Sequence, residues 1–207
     1  MRDYGAQSLN TSKINKLPVF PLGLVVLPGT IQSLQIFEPR YIDMVKNCMQ
    51  NSSGFVITLQ SKSDGDVEFG IVKQGTYVEI IDFNNNPNGL LGITVKAINK
   101  VAIKDIVQQE DTLHIAEIKP LTDPAVDDQA LIAKHPELIN ILIQLKDHPR
   151  IKVLPLEIDL TSADSVAYHL GGLIPLTSQE KQSILEAFDA SQRMNILSRL
   201  INKLSEK

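Results

Sequence analysis

An apolar run that cannot be a helix constrains this chain more than any other feature. From Leu17 to Leu34 short hydrophobic pieces alternate with proline and glycine: Leu17-Pro-Val-Phe, then Leu22-Gly-Leu-Val-Val-Leu-Pro-Gly29. Proline has no N–H for a ladder, so Pro18, Pro21 and Pro28 confine the run to edges, strand starts and bends. The pattern predicts strand, bend, strand at the rim of a sheet or barrel. A helix follows, because Pro39 suits a first turn, where its missing N–H costs nothing. Tyr41, Met44, Val45, Cys48 and Met49 then recur at helical spacing as a stripe facing a core. Asn51-Ser-Ser-Gly54 ends that helix.

Short β-rich runs come next. Phe55–Leu59 and Phe69–Val72 flank a polar turn with Asp64-Gly65, and Thr76–Phe83 leads into Asn84-Asn-Asn-Pro-Asn-Gly89, a strong turn signal. Leu90–Val107 supplies one long strand or two bent ones, alternating at Ile93, Val95 and Ala97 and again at Val101 and Ile103. Thr112–Ile118 alternates too, with Leu113, Ile115 and Glu117 on one side. Runs at this spacing predict an antiparallel barrel or sandwich.

After Pro120 the pattern turns helical. Asp127–Lys134 and Pro136–Lys146 read as helices, the second carrying Leu138, Ile141, Leu142 and Leu145, and Pro149–Leu160 reads as extended. Thr161 with Asp164 resembles a capping box, opening a helix that stops at Gly171-Gly172. Thr177 with Glu180 opens another through Ile184, Leu185 and Phe188. Asp189 with Gln192 opens the last, striped by Met194, Leu197, Leu200, Ile201 and Leu204. The fold class expected is α+β: a tail over 1–15, a β-rich subdomain with one packed helix over 16–122, and a helical subdomain over 123–207.

Composition and motifs restrict the chemistry. A single cysteine, Cys48, excludes an internal disulfide, fits a reducing compartment, and reads as a buried inert thiol on its helix stripe. With 20 basic against 24 acidic residues and no basic stripe, capture of nucleic acid or an anionic membrane is not expected. The first sixteen residues are polar, unlike a signal peptide, so the expected address is cytoplasmic. The nearest approach to a phosphate loop, Gly70–Thr76, lacks the required Lys and lies in a strand pair. No Gly-x-Ser-x-Gly elbow occurs, and His114, His135, His148 and His169 have no metal-ligand spacing. His135 and His148 read as solvated boundary residues, His114 as a strand-face residue, and Asp127-Asp128 as solvated loop charges. No catalytic residue, cofactor or metal is expected.

Leu17-Pro-Val-Phe-Pro-Leu-Gly-Leu-Val-Val-Leu-Pro-Gly29, followed by Leu34-Gln-Ile-Phe-Glu-Pro-Arg-Tyr-Ile-Asp-Met-Val45, closely resembles the opening of the LON domain, the substrate-binding domain of ATP-dependent Lon proteases, found also as a separate protein. Phe69-Gly70, Gly75-Thr-Tyr-Val-Glu-Ile80 and Leu173-Ile-Pro-Leu…Glu180-Lys-Gln…Arg193 extend the likeness over roughly residues 16–204. Where that family often has Gly followed by Arg near the end of the long hairpin, this chain has Ala97 and Lys100. The resemblance implies a pseudo-barrel followed by helices. It also implies a non-catalytic module, without the ATPase P-loop or the Ser–Lys peptidase of Lon, that binds exposed or unfolded polypeptide as an adaptor or receptor, a protease being one candidate partner that the sequence does not decide. Its signature residues Pro21, Pro28, Gly29, Phe37, Glu38, Pro39, Arg40 and Tyr41 read as scaffolding: Glu38 complements a helix start and Arg40 can tie neighbouring strands. The substrate-binding residues and the oligomeric state are not identified. Alternatives are a small-molecule or enzymatic role in the cleft between barrel and helices, and a structural subunit of a protease-associated complex.

Overall fold

The computed structural model describes residues 15–61, 68–85 and 90–205. The strands are β1 (Asn15–Leu22), β2 (Ile31–Ile36), β3 (Phe55–Gln60), β4 (Ile71–Asn85), β5 (Leu91–Gln108) and β6 (His114–Pro120). Helix α1 (Pro39–Gln50) precedes β3, and α2 (Asp128–Lys134), α3 (Pro136–Asp147), α4 (Pro149–Lys152), α5 (Ala163–Leu173), α6 (Ser178–Glu186) and α7 (Ala190–Ser205) follow the strands.

The six strands form one mixed sheet in the order β2-β5-β4-β3-β1-β6, and β6 returns to pair with β5. The long β5 makes this closure possible. Its first part, Leu91–Lys96, takes β2, and its second, Val101–Gln108, takes β6. Between Lys104 and Val107 the register shifts, with Asp105 at φ 45°, a bulge that bends the strand round the barrel. Inside lie Val19, Val56, Ile71, Val101, Ile103 and Ile118. A second core joins Phe20, Ile36, Phe55, Ile93 and Val95 to Tyr41, Met44, Val45 and Cys48 of α1. The third belongs to the helices, around Leu138, Leu142, Val166, Leu170, Ile184, Met194 and Leu197.

The proline- and glycine-broken segment joins these cores. Val25 and Leu27 point into the helical core, whereas Val26 between them points into the α1 core, the alternation of an extended chain. The Thr76 hydroxyl donates to the Val26 carbonyl at 2.6 Å and the Ser178 hydroxyl to Gly23 at 2.7 Å. Gly29 holds φ +80°, where a Cβ would meet the His169 ring at 2.8 Å, so this bend requires glycine.

Several expectations need correction. The sheet is mixed, because β1 pairs with β3 in parallel; β2 and α1 supply the crossover that parallel pairing needs. Phe69 is outside the strand expected there, in a single 3-10 turn (Glu68–Gly70) at φ 55°. The cap of α5 is Ser162, which accepts from Ser165 N–H, while the Thr161 hydroxyl is held by Asp159 at 2.6 Å. That helix continues through Gly171-Gly172. A Cβ there would lie 3.0 Å from Leu27 and 2.7 Å from Thr30 respectively, so these glycines admit the bridging segment. Pro149 starts α4 instead of an extended run, with His148 Nδ1 accepting from Arg150 N–H. Met49 is exposed, having drifted about 80° round the helix from Tyr41. Helix α6 ends at Glu186, leaving Phe188 exposed, because Asp189 and Gln192 cap the next helix through Gln192 and Phe188 N–H. Leu204 is also exposed. Asp127 and Asp128 act structurally: Asp127 caps α2 and Asp128 accepts from Ala163 N–H at 2.9 Å. His135 is largely buried beside Glu137. The expected tail, apart from Asn15, and the Asp64-Gly65 and Asn86–Gly89 turn residues lie outside the described residues.

Candidate functional site

Barrel and helices meet along a seam that opens into a cleft of about 550 Å³. Pro28, Ile98, Leu121, Pro124 and Val126 give it apolar walls, and Lys100, Asp123 and Asp164 give it a charged floor. Behind the floor lies Arg193 of α7, whose side chain is 0 % exposed. Its guanidinium pairs with Asp123 of the connector after β6 and with Asp164 in the first turn of α5, and it lies 4.6 Å from the centre of the Tyr168 ring. Lys100 of β5 pairs with the same Asp123 and donates to the Ala187 carbonyl at 3.1 Å. Two cations and two carboxylates thus neutralise each other where strand, connector and two helices converge, the condition under which charges tolerate burial. Arg193 Nε has no hydrogen-bond partner among the described residues. Burial pushes the Tyr168 hydroxyl far above its usual range, so it stays protonated.

A second feature lies on the other flank of the bridging segment. Among the described residues strand β2 pairs only with β5, so one edge is open. Thr30 O accepts from Ala97 N–H, which turns the backbone groups of Gln32, Leu34 and Ile36 toward β5 and those of Ile31, Ser33 and Gln35 outward. At the start of β2 a cavity of about 50 Å³ is walled by Val25, Ile31, Leu154, Leu156 and Leu173, with Lys181 in its wall.

The signature residues do not form one pocket. Pro21 sits in β1 opposite Thr58, and Pro28 lines the cleft beside the Gly29 bend. Phe37 is 67 % exposed and Pro39 begins α1. Glu38 precedes that helix as its N-cap and accepts from Arg40 Nε at 2.9 Å. Arg40 Nη1 donates to the Thr112 carbonyl and hydroxyl at 2.9 and 2.8 Å. This ties the start of α1 to the turn before β6, where Thr112 holds φ 67°. Tyr41 packs on Phe20, with ring centres 4.0 Å apart. Burial raises the Cys48 thiol. His114 is buried at one end of the barrel interior under Phe69, ring centres 5.0 Å apart, its Nδ1 without a partner among the described residues. Burial, and then the Arg40 charge, lower its pKa. Glu38, Arg40 and His114 are all absent from the lining of the cleft.

The seam charges were not singled out from sequence as a site, because Lys100, Asp123, Asp164 and Arg193 share no motif. His169 was also missed: its ring bridges Ser165 O at 2.7 Å and Gly29 O at 3.1 Å. Among the described residues no group of three His, Cys, Asp or Glu is placed to hold a metal ion, and no helix is long and apolar enough to cross a membrane.

Residues 16–203 match the family profile described as the ATP-dependent protease La (LON) substrate-binding domain. Lon protease 1 of Bacillus subtilis is 28 % identical over 200 residues, covering 92 % of this chain and 25 % of that protein. Lon protease of Heliobacterium modesticaldum is 25 % identical over 203 residues, covering 93 % of this chain and 24 % of its own length. The chain therefore spans about a quarter of the curated relatives it matches. Among solved structures, a Lon N-terminal domain protein from Xanthomonas campestris aligns with a TM-score of 0.69 at 27 % identity, covering 90 % of this chain and 98 % of that one. The N-terminal domain of the Mycobacterium avium complex Lon protease has the same fold, with a TM-score of 0.67 at 18 % identity.

Proposed function

The chain belongs to the family of the ATP-dependent protease La (LON) substrate-binding domain, and from that premise we propose that it captures extended or unfolded polypeptide segments as an adaptor or receptor. The matched domain is the non-catalytic, substrate-recognising part of Lon. The observation that carries the reading is the match across residues 16–203, which takes in both the barrel and the helices that form the seam. The physical features agree with it. An open cleft with proline and aliphatic walls suits an extended chain better than a small molecule needing many fixed polar contacts. Its charged floor is already neutralised internally, which leaves apolar contact and backbone hydrogen bonding as the means of recognition. A protease is the partner this reading implies, with a cytoplasmic address and no role for nucleic acid.

The test is a fluorescence-polarisation titration of labelled, unfolded casein with the purified protein, against a natively folded globular protein as control. Micromolar binding of casein alone is expected, weakened by Ile98→Asp in the cleft wall. No binding up to high micromolar concentration, or equal binding of the folded control, would overturn the proposal.

A further inference from the structure

Lys181 is a half-buried cation that no carboxylate pairs with among the described residues. It stands in the second turn of α6, half-buried, with its Nζ 3.3 Å from the Gly172 carbonyl near the end of α5. No carboxylate is paired with it among the described residues, although Lys100 and Arg193, equally drawn from the seam, have theirs. Burial alone lowers its pKa, the sign of an ammonium that has lost water without gaining an anion. The cavity it lines is otherwise mainly apolar, and its volume of about 50 Å³ accommodates a group of carboxylate size. That cavity sits at the start of β2, where the outward N–H and C=O groups of Ile31, Ser33 and Gln35 begin. The loop beside it exposes Val153 and Leu154, and Glu157 fixes its far side by pairing with Lys96 at 2.6 Å.

These features combine in one place an unpaired strand edge, apolar side chains and a desolvated cation. From this we infer that the free edge of β2 binds the C-terminal end of an extended apolar polypeptide, added antiparallel to β2, with its terminal carboxylate on Lys181. The direction follows from the layout. A strand whose last residue lies at the Ile31 end of β2 must run against it. The source of the carboxylate follows too, because the final backbone unit of such a strand reaches the cavity with no side chain needed. Edge addition supplies affinity through main-chain bonds, and the cation supplies preference for a chain end. The inference deepens the proposed function, since it names the kind of segment captured and its place.

The probes are three labelled peptides of alternating valine and threonine: the free acid, the C-terminal amide, and an amide with aspartate as its last residue. Each is titrated with the full chain, with unfolded casein in parallel. The free acid is expected to bind about tenfold more tightly than either amide, the worth of a charge-assisted bond. Lys181→Met keeps the aliphatic stem and should bring the acid to the level of the amide without moving the amide. Ser33→Pro removes one outward N–H at an edge position that tolerates proline and should weaken all three peptides. Circular dichroism of both variants checks that they fold.

Equal binding of acid and amide, or an acid preference that survives Lys181→Met, would overturn the carboxylate site. Tight binding of the aspartate amide would overturn the terminal assignment. Casein binding without peptide binding would overturn the β2 site while leaving the proposed function standing, whereas loss of both would overturn the two together. A dimer by light scattering that Ser33→Pro makes monomeric, with no peptide bound, would assign the edge to a second copy and overturn the inference.

Discussion

Replacing Asp123 by asparagine probes how the two halves are joined. Among the described residues Asp123 is the only carboxylate that touches both Lys100 of the barrel and Arg193 of α7, and its side chain is 14 % exposed. Asparagine keeps the volume and one accepting oxygen but removes the charge. Arg193 would then share Asp164 and the Ala187 carbonyl with no further anion, and Lys100 would keep only Ala187. Two unit charges about 4 Å apart attract by about 4 kcal/mol at the effective dielectric of such sites. Breaking a buried pair from one side typically costs about 3–5 kcal/mol. Asp123→Asn should therefore lose about 3 kcal/mol, the lower end because a hydrogen bond survives. Equilibrium urea unfolding, followed by far-ultraviolet circular dichroism and by tyrosine emission in this tryptophan-free chain, reads it as a midpoint lowered by roughly 1 M or more. Because Asp123 links the halves, the transition should also broaden or split, the helices separating from the barrel. Adding Lys100→Met should restore part of the loss, with a coupling of at least about 1 kcal/mol. A single, unbroadened transition moved by less than about 0.3 M would refute the idea that this charge cluster holds the seam.

Two further perturbations separate packing from titration. At Gly54 an added Cβ would collide with the Val78 carbonyl and the Tyr77 ring, whose hydroxyl accepts from Gly54 N–H; Gly23 has nothing within 4 Å. Gly54→Ala should cost more than about 2 kcal/mol and Gly23→Ala stay within about 0.5 kcal/mol, measured as urea midpoints. For His114, burial and Arg40 lower the folded pKa below 6.5, so the unfolded chain binds the proton more readily. The stability tied to the neutral ring is complete above the unfolded value and declines as pH falls through 6.5 toward the folded pKa. His114→Leu should remove that part of the acid dependence between about pH 7 and 5, and parallel curves for the two proteins would contradict it.

The local elements were legible where a residue's own neighbours decide its state. Thr177 and Glu180 form a reciprocal capping box, Pro39 opens α1, and the β5 alternation at Ile93, Val95, Ala97, Val101 and Ile103 is buried throughout. Local chemistry misled where tertiary contact reassigns the same residue. Gly171-Gly172 read as a helix stop but serves close approach to Leu27 and Thr30, and Thr161 lost its cap to Ser162 because Asp159 holds its hydroxyl. The parallel β1–β3 pair depends on the path of the chain through β2 and α1, which alternation does not encode. The LON-like signature identified the fold, and much of it serves as joinery: Val25 and Leu27 reach one core, Val26 another, and Arg40 ties α1 to the Thr112 turn. The seam charges come from Lys100, Asp123, Asp164 and Arg193, whose separations in sequence follow no ligand or catalytic spacing. Only the three-dimensional fold unites them.

Amide hydrogen exchange of the protein alone and saturated with unfolded casein tests polypeptide capture at the seam most directly. Capture there predicts slowed exchange in the cleft wall from Leu121 to Val126, and capture on the β2 edge slows the outward amides of Ile31, Ser33 and Gln35. Unchanged exchange in both segments, with protection confined to α1 or to the far face of the barrel, would contradict it.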